Sequence, residues 1–408
     1  MVRLLVFLWA YLLAATSAHA GEWNFGGDLQ GEMRYFQNDA IFEDQFNHWD
    51  PSFAIIPDVS WRSENGVHNF QATPFLRVDG RDAERTHWDL REFYYRYQPN
   101  SVVSVTLGAT QVFWGRAESH HLIDIINQRD QVEDIDDEDK LGQPMINIAF
   151  DTRFGTLNMY AMTGFRDRTF PGSDGRLRFF LPFDTDNPVF DEDGGRYAPE
   201  YAFRYDHKIA DVEFGLAYFE GNSREPRIGF SVLGDGLIPI YDKIKQGSVD
   251  FLYTRGNWQG KFEGLFRNGY DESFFAFVGG VEYTFPDVLG TDADVGFLLE
   301  YQYDGREVEN IDEPFGPALS APLTLNDHDA YGAMRVTLSE EQRLSALAGF
   351  AFDTDDESIR VTIEASKEIG ENWTAEIESR VLMGTESDDI IHALRNDDFV
   401  TFRLTRRF

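Results

Sequence analysis

The chain has 408 residues, with 71 Asp and Glu against 36 Lys and Arg, a formal charge of −35, and no cysteine. That charge excludes nucleic acid and anionic lipid surfaces as partners held by bulk attraction, and the lack of cysteine excludes a disulfide framework and thiolate chemistry. Mean hydropathy is −0.40, and after residue 20 no apolar stretch reaches the roughly 20 residues of a membrane helix. Half-apolar membrane strands leave the same averages, because lipid-facing and lumen-facing residues alternate. The 15% aromatic content, with 36 Phe and 17 Tyr, suits interfacial girdles at two membrane surfaces.

Residues 1–20 read as a secretory signal peptide: Arg3, an apolar stretch from Leu4 to about Ala15, then Ala18-His19-Ala20 before Gly21. A membrane anchor is the rival reading, but this apolar run is too short and breaks at Thr16-Ser17. The mature chain opens with Trp23, Phe25, Leu29, Met33 and Tyr35 at odd positions and Asn24, Asp28, Gln30, Glu32 and Arg34 at even ones. That alternation places apolar and polar residues on opposite faces of a strand. Its hairpin partner runs from about Phe53 to Trp61 and turns at Ser63-Glu64-Asn65-Gly66, a tight-turn signal.

Further strands are expected near 67–79, 87–97 and 103–110, then near 145–152, 156–164, 199–207, 211–220, 247–255, 260–269, 273–285, 293–304, 328–338, 342–352, 357–367, 372–383 and 398–408. Long loops fall at about 114–144, 165–198, 221–246, 305–327 and 384–397, each after an odd-numbered strand and therefore on one side. The expected fold is all-β, a transmembrane antiparallel up-and-down β-barrel of about 16–18 strands, with 21–408 as a single domain. A soluble secreted sandwich or propeller is the structural rival. It would not need the asymmetry of short and long connections.

The last strand sets Val400, Phe402 and Leu404 against Thr401, Arg403, Thr405 and Arg407, and ends on Phe408. This ending resembles the C-terminal sorting signal of Gram-negative outer-membrane barrels, with Arg406 as a departure where an apolar residue is usual. The resemblance implies the cell outer membrane of a Gram-negative bacterium, contact with outer-membrane lipids, and recognition by the barrel-assembly machinery through Phe408.

A second resemblance rests on Gln111-Val-Phe-Trp114-Gly115-Arg116 leading into Leu122-Ile123-Asp124-Ile125-Ile126-Asn127 and Asp130. A Trp-Gly at a strand end before a hydrophobic Asp-x-x-Asn stretch is similar to a pattern in uncharacterised porin-like outer-membrane barrels akin to alginate-export channels. Here Gln128 stands where that pattern has a Pro. Physically, Trp114 fits an interfacial girdle, and Gly115 permits a sharp departure from the strand. Leu122, Ile125 and Ile126 share one helical face that must be buried. Residues 117–130 are therefore expected either to fold into the barrel as a constriction, with Trp114, Arg116, Asp124, Asn127 and Asp130 as its candidates, or to pack as an external loop helix. The acid run Glu133 to Asp139 is expected to hang at the mouth.

Alternation projects Glu32, Arg34, Arg360, Thr362, Glu364, Glu376, Glu378, Arg380, Arg403 and Arg407 away from lipid as a mixed-charge lumen wall. In a water-filled pore such charges bias which solutes pass; in a closed barrel they pair with one another. The Asp clusters at 134–139 and 184–193 lack the spacing of an EF-hand loop, and no metal or cofactor is expected. Ser119, His120, His121 and Asp124 do not make a catalytic triad, and no nucleophile-elbow or zinc-protease motif occurs, so no enzyme is expected. The reading is a porin-like channel for passive passage of small or medium hydrophilic solutes. The alternative is a barrel component of a lipid or hydrophobic-compound trafficking system, which requires an apolar lumen or a lateral opening beside the first strand.

Overall fold

The structure is a computed structural model that describes residues 21–231, 234, 236–269, 272–306, 328–338, 343–355, 357–385 and 390–408. The expected leader at 1–20, nearly all of the expected loop at 305–327, and 386–389 of the expected loop at 384–397 lie outside the described residues.

The strands are β1 (Gly21–Phe36), β2 (Trp49–Ser63), β3 (His68–Asp79), β4 (Trp88–Tyr97), β5 (Val103–Thr110), β6 (Gln143–Thr152) and β7 (Gly155–Met162). After a short β8 (Val189–Phe190) come β9 (Glu200–Ile209), β10 (Val212–Asn222), the short β11 (Arg227–Phe230) and β12 (Leu237–Tyr241), β13 (Lys243–Arg255) and β14 (Trp258–Gly269). The wall continues through β15 (Glu272–Phe285), β16 (Ala293–Asp304), β17 (Asp329–Leu338), β18 (Leu344–Asp353), β19 (Ile359–Ile369), β20 (Trp373–Met383) and β21 (Phe399–Arg407).

Eighteen of these strands form one antiparallel sheet in chain order, and β1 pairs with both β2 and β21, so the sheet closes into a barrel. The remaining three, β8, β11 and β12, make a small separate sheet in the loops after β7 and β10. Closure is completed past the last ladder pair, where Gly27 and Phe408 exchange backbone hydrogen bonds of 3.0 and 3.2 Å. Gly27 has φ +153°, and a Cβ there would stand 2.6 Å from the Ile56 carbonyl oxygen, so this crossing of three strands requires glycine.

The wall is the reverse of a soluble domain. On β16, Phe297, Leu299 and Tyr301 are 50%, 65% and 41% exposed, whereas Leu298, Glu300 and Gln302 are 4%, 5% and 2% exposed. Large apolar side chains therefore face outward and, Leu298 apart, polar ones inward on this strand, the arrangement that a hydrocarbon surround stabilises and water would not. Aromatic residues gather at both rims of the outer surface. Trp258 and Tyr283 pack edge to face at 4.6 Å at the short-turn rim, and Tyr35 and Trp49 lie 4.5 Å apart at the loop rim. The departure at Arg406 is accommodated there, its guanidinium 5.4 Å from the Trp373 ring centre.

Candidate functional site

Thr110 and Gln143 face each other in the β5–β6 ladder, so residues 111–142 leave the wall and return to it at one point. The segment enters the barrel. At its start Gly115 has φ +149°, and a Cβ there would meet Glu263 Oε1 at 3.0 Å. Trp114 is buried against Tyr160, 5.9 Å between ring centres, with the Arg204 guanidinium 5.4 Å away. The expected girdle position is corrected: Trp114 turns inward with the segment.

Ile123, Ile125 and Ile126 are buried among Met145, Met162, Phe219, Ile244, Leu265 and Phe274 of the wall, with Leu122 packed at the margin. No helix forms here; the chain from 117 to 128 is a succession of bends and turns. A helix would satisfy its own amides, and an irregular buried chain must find other acceptors. Two wall carboxylates supply them. Glu263 on β14 accepts from the Arg116, Ala117 and Ile123 N–H groups, the last two at 2.8 and 3.2 Å. Glu300 on β16 accepts from the Glu118 and Ser119 N–H groups at 3.1 and 2.8 Å, and from the Ser119 hydroxyl at 2.6 Å.

Asn127 fastens the two ends of the segment. Its Oδ1 accepts from the Val112 N–H at 2.8 Å, and its Nδ2 donates to the Thr110 and Leu141 carbonyls, each at 2.8 Å. Asp124 accepts from the Trp114 N–H at 3.3 Å and pairs with Lys140 and with Arg129. Arg116 reaches Glu213 at 3.3 Å and Asp250 at 3.2 Å. Glu213 is the second residue of β10, so the segment descends close to the short-turn rim.

The acid run does not hang at the mouth. Glu133 and Asp134 are buried inside the barrel and paired with arginines of the opposite wall. Arg77 holds Glu133 at 2.7 Å, and Arg34 holds Asp134 at 2.9 Å. Arg85, from the loop after β3, holds Glu32 at 2.7 Å and Asp79 at 3.0 Å. Arg91 and His87 hold Asp130 at 2.6 and 3.1 Å. Burial pushes the Asp130 carboxyl up, but the His87 hydrogen bond and the Arg91 charge outweigh it and bring it to about 2. Asp139 has no such balance, and burial with the nearby Glu133 lifts it to about 6. Asp134, Asp136 and Glu378 come together closely enough to hold a cation. Arg380 already fills that position, 3.3, 2.7 and 2.8 Å from the three carboxylates.

The segment fills the side of the lumen along β6 to β16 and leaves a cavity of about 770 Å³ against β17 to β21. Arg360, Thr362, Glu364, Glu376, Glu378, Arg380 and Arg403 line it from the wall. Glu32 and Arg34 face inward too, but lie beneath the acid run, Glu32 joined to Arg403 at 2.9 Å. Arg407 sits at the rim, its side chain 76% exposed beside Asp28. Among the five constriction candidates, Trp114, Asp124, Asn127 and Asp130 are buried where the segment meets the wall, and Arg116 points to Glu213. The segment's cavity face is instead Glu118 to His121 and Asp134 to Asp139, opposite Gln302, Tyr331 and Arg335. These residues, with Glu263 and Glu300, were not singled out by alternation, although Glu263, Glu300, Gln302 and Arg335 occupy inward positions that it marks.

The seam between β1 and β21 is a continuous ladder of nine residue pairs from Asp28–Arg407 to Phe36–Phe399. Thirteen of the residues lining the cavity behind it are charged, beside apolar ones such as Ile135, Leu347 and Val381.

No family model matches the chain, and no curated protein sequence does. Among solved structures it is similar to Wzi of Escherichia coli, described as an outer-membrane protein involved in group 1 capsule assembly and a carbohydrate-binding β-barrel. The TM-score is 0.53 at 11% identity, over 100% of this chain and 88% of that one. It is also similar to OccAB1 of Acinetobacter baumannii, with a TM-score of 0.54 at 7% identity over 95% of this chain and 96% of that one. At these identities the likeness is one of fold: the chain is a closed antiparallel β-barrel of eighteen strands, of the architecture found in bacterial outer-membrane proteins.

Proposed function

We propose that this protein is a porin-like channel of the Gram-negative outer membrane, through which small or medium hydrophilic solutes cross passively. Residues 21–408 act as a single barrel domain, delivered by the leader at 1–20 and recognised by the barrel-assembly machinery through the strand ending on Phe408. The apolar outer face and paired aromatic rims support a lipid surround. One observation carries the channel reading: inside the closed wall, a folded-in segment narrows the lumen to a cavity of about 770 Å³ lined by charged groups. A hydrated, charged lumen favours polar solutes and disfavours apolar ones. The ordered inward segment restricts their size.

Planar bilayers test this reading. The folded protein is expected to give stepwise ohmic current. Removing residues 117–139 and joining the ends is expected to increase each step severalfold, and the adjacency of Thr110 and Gln143 lets a short turn bridge the gap. Silence from both forms overturns the channel reading.

A further inference from the structure

Resting on that reading, we infer that the open half of the lumen passes small hydrophilic cations in preference to anions. The cavity is lined by nine carboxylates against four arginines. Each arginine is engaged. Arg335 pairs with Glu118 at 2.5 Å, Arg360 with Asp329 at 2.8 Å, Arg380 with Asp136 at 2.7 Å, and Arg403 with Glu32 at 2.9 Å. Asp329 and Glu32 lie outside the cavity lining, so two of the four positive charges are balanced by carboxylates behind the wall surface. The histidines add little. His121 is bound to Glu138 at 3.0 Å, and burial holds His120 down to about 4, neutral at neutral pH.

Several carboxylates are held only loosely. Glu364 lies 3.8 Å from Arg380, Glu376 lies 3.9 Å from Arg403, and Asp137 lies 4.0 Å from Arg168. The lining arginines are thus tightly paired; Arg34 likewise holds Asp134, and the loosely held carboxylates Glu364, Glu376 and Asp137 are the ones available to solutes. Fixed charges act with little screening on an ion within the Debye length of about 8 Å at physiological ionic strength, as on an ion beside these side chains.

An independent observation has the same sign. Gln302 lines the cavity, is 2% exposed, and its Oε1 accepts no hydrogen bond among the described residues. A buried carbonyl oxygen left without a donor is unfavourable. The oxygen itself is enclosed, so a cation or an N–H or O–H donor in the cavity satisfies it only by drawing the Gln302 side chain toward it, which an anion cannot do.

The test is the permeability ratio of K⁺ to Cl⁻, from the reversal potential of the full-length folded protein in a KCl gradient. The ratio is expected to be severalfold above one. Glu364→Gln combined with Asp137→Asn is expected to lower it by at least half, and Gln302→Leu to reduce K⁺ conductance. The first two side chains are only loosely paired and, among the described residues, make no hydrogen bond that holds the segment, so the barrel is expected to fold, as heat-modifiable migration on gels verifies. A current with a ratio at or below one overturns the inference and leaves the channel reading standing. A high ratio unmoved by the double variant overturns its assignment to this cavity. No current from the unmodified protein overturns the channel reading itself, and the inference with it.

Discussion

The inward segment has two faces that hold to the barrel by different physics. Its first part, through Ile123, Ile125 and Ile126, is dry. It buries apolar side chains and delivers its amides to Glu263 and Glu300. Its second part, from Asp130 to Asp139, is a lattice of carboxylates and guanidinium groups. The first face is fixed at any pH at which its carboxylates are charged. The second carries groups moved both up and down, and changes strength with proton concentration. The same thirty-odd residues therefore serve as both anchor and adjustable surface.

Loss of the anchor is expected to have the largest effect. Glu263→Ala removes the acceptor of three backbone N–H groups in a buried site and is expected to cost about 3–5 kcal/mol in the docking of the segment. Limited trypsin digestion of the folded barrel then cuts at Arg116 or Arg129, which the unmodified protein protects. Asn127→Ala strands two carbonyls and one amide at the neck and is expected to cost about 2–4 kcal/mol. Its digestion pattern matches that of Glu263→Ala at a slower rate.

Acid sharpens the contrast. Asp130, lowered to about 2, contributes stability that is fully present above its ordinary value and lost as pH falls through about 2. Asp139, raised to about 6, has the opposite sign: its charged form is costly above that pH, and the cost is relieved as pH falls through it. The acid face should therefore hold most tightly near about pH 4, where Asp130 still contributes fully and the cost of Asp139, which builds up between about pH 4 and 6, is absent. Current flicker recorded across pH is expected to pass through a minimum there. The smallest effect is at the dry face, where Ile126→Val is expected to cost about 1 kcal/mol and to leave that minimum in place.

The wall was legible because period-two alternation repeats through it. Each of the eighteen expected strands overlaps an observed one, from Gly21–Phe36 to Phe399–Arg407, and the long connections fall on one side. The segment was harder, for identifiable reasons. The spacing of Leu122, Ile125 and Ile126 fits a helix, but the amides are taken by Glu263 and Glu300, more than 130 residues away in sequence. Trp114 at a strand end satisfies a girdle and an inward plug equally well. A run of like charges such as Glu133 to Asp139 is normally solvated. Its partners, Arg34, Arg77 and Arg380, are scattered over β1, β3 and β20 and converge only when the barrel closes.

Residues 111–142 are expected to narrow a water-filled passage. Single-channel conductance of the folded protein, with and without residues 117–139, tests it most directly. Ohmic steps are expected to grow severalfold when the segment is removed; equal steps in the two forms, or silence in both, would show that the segment narrows no open passage.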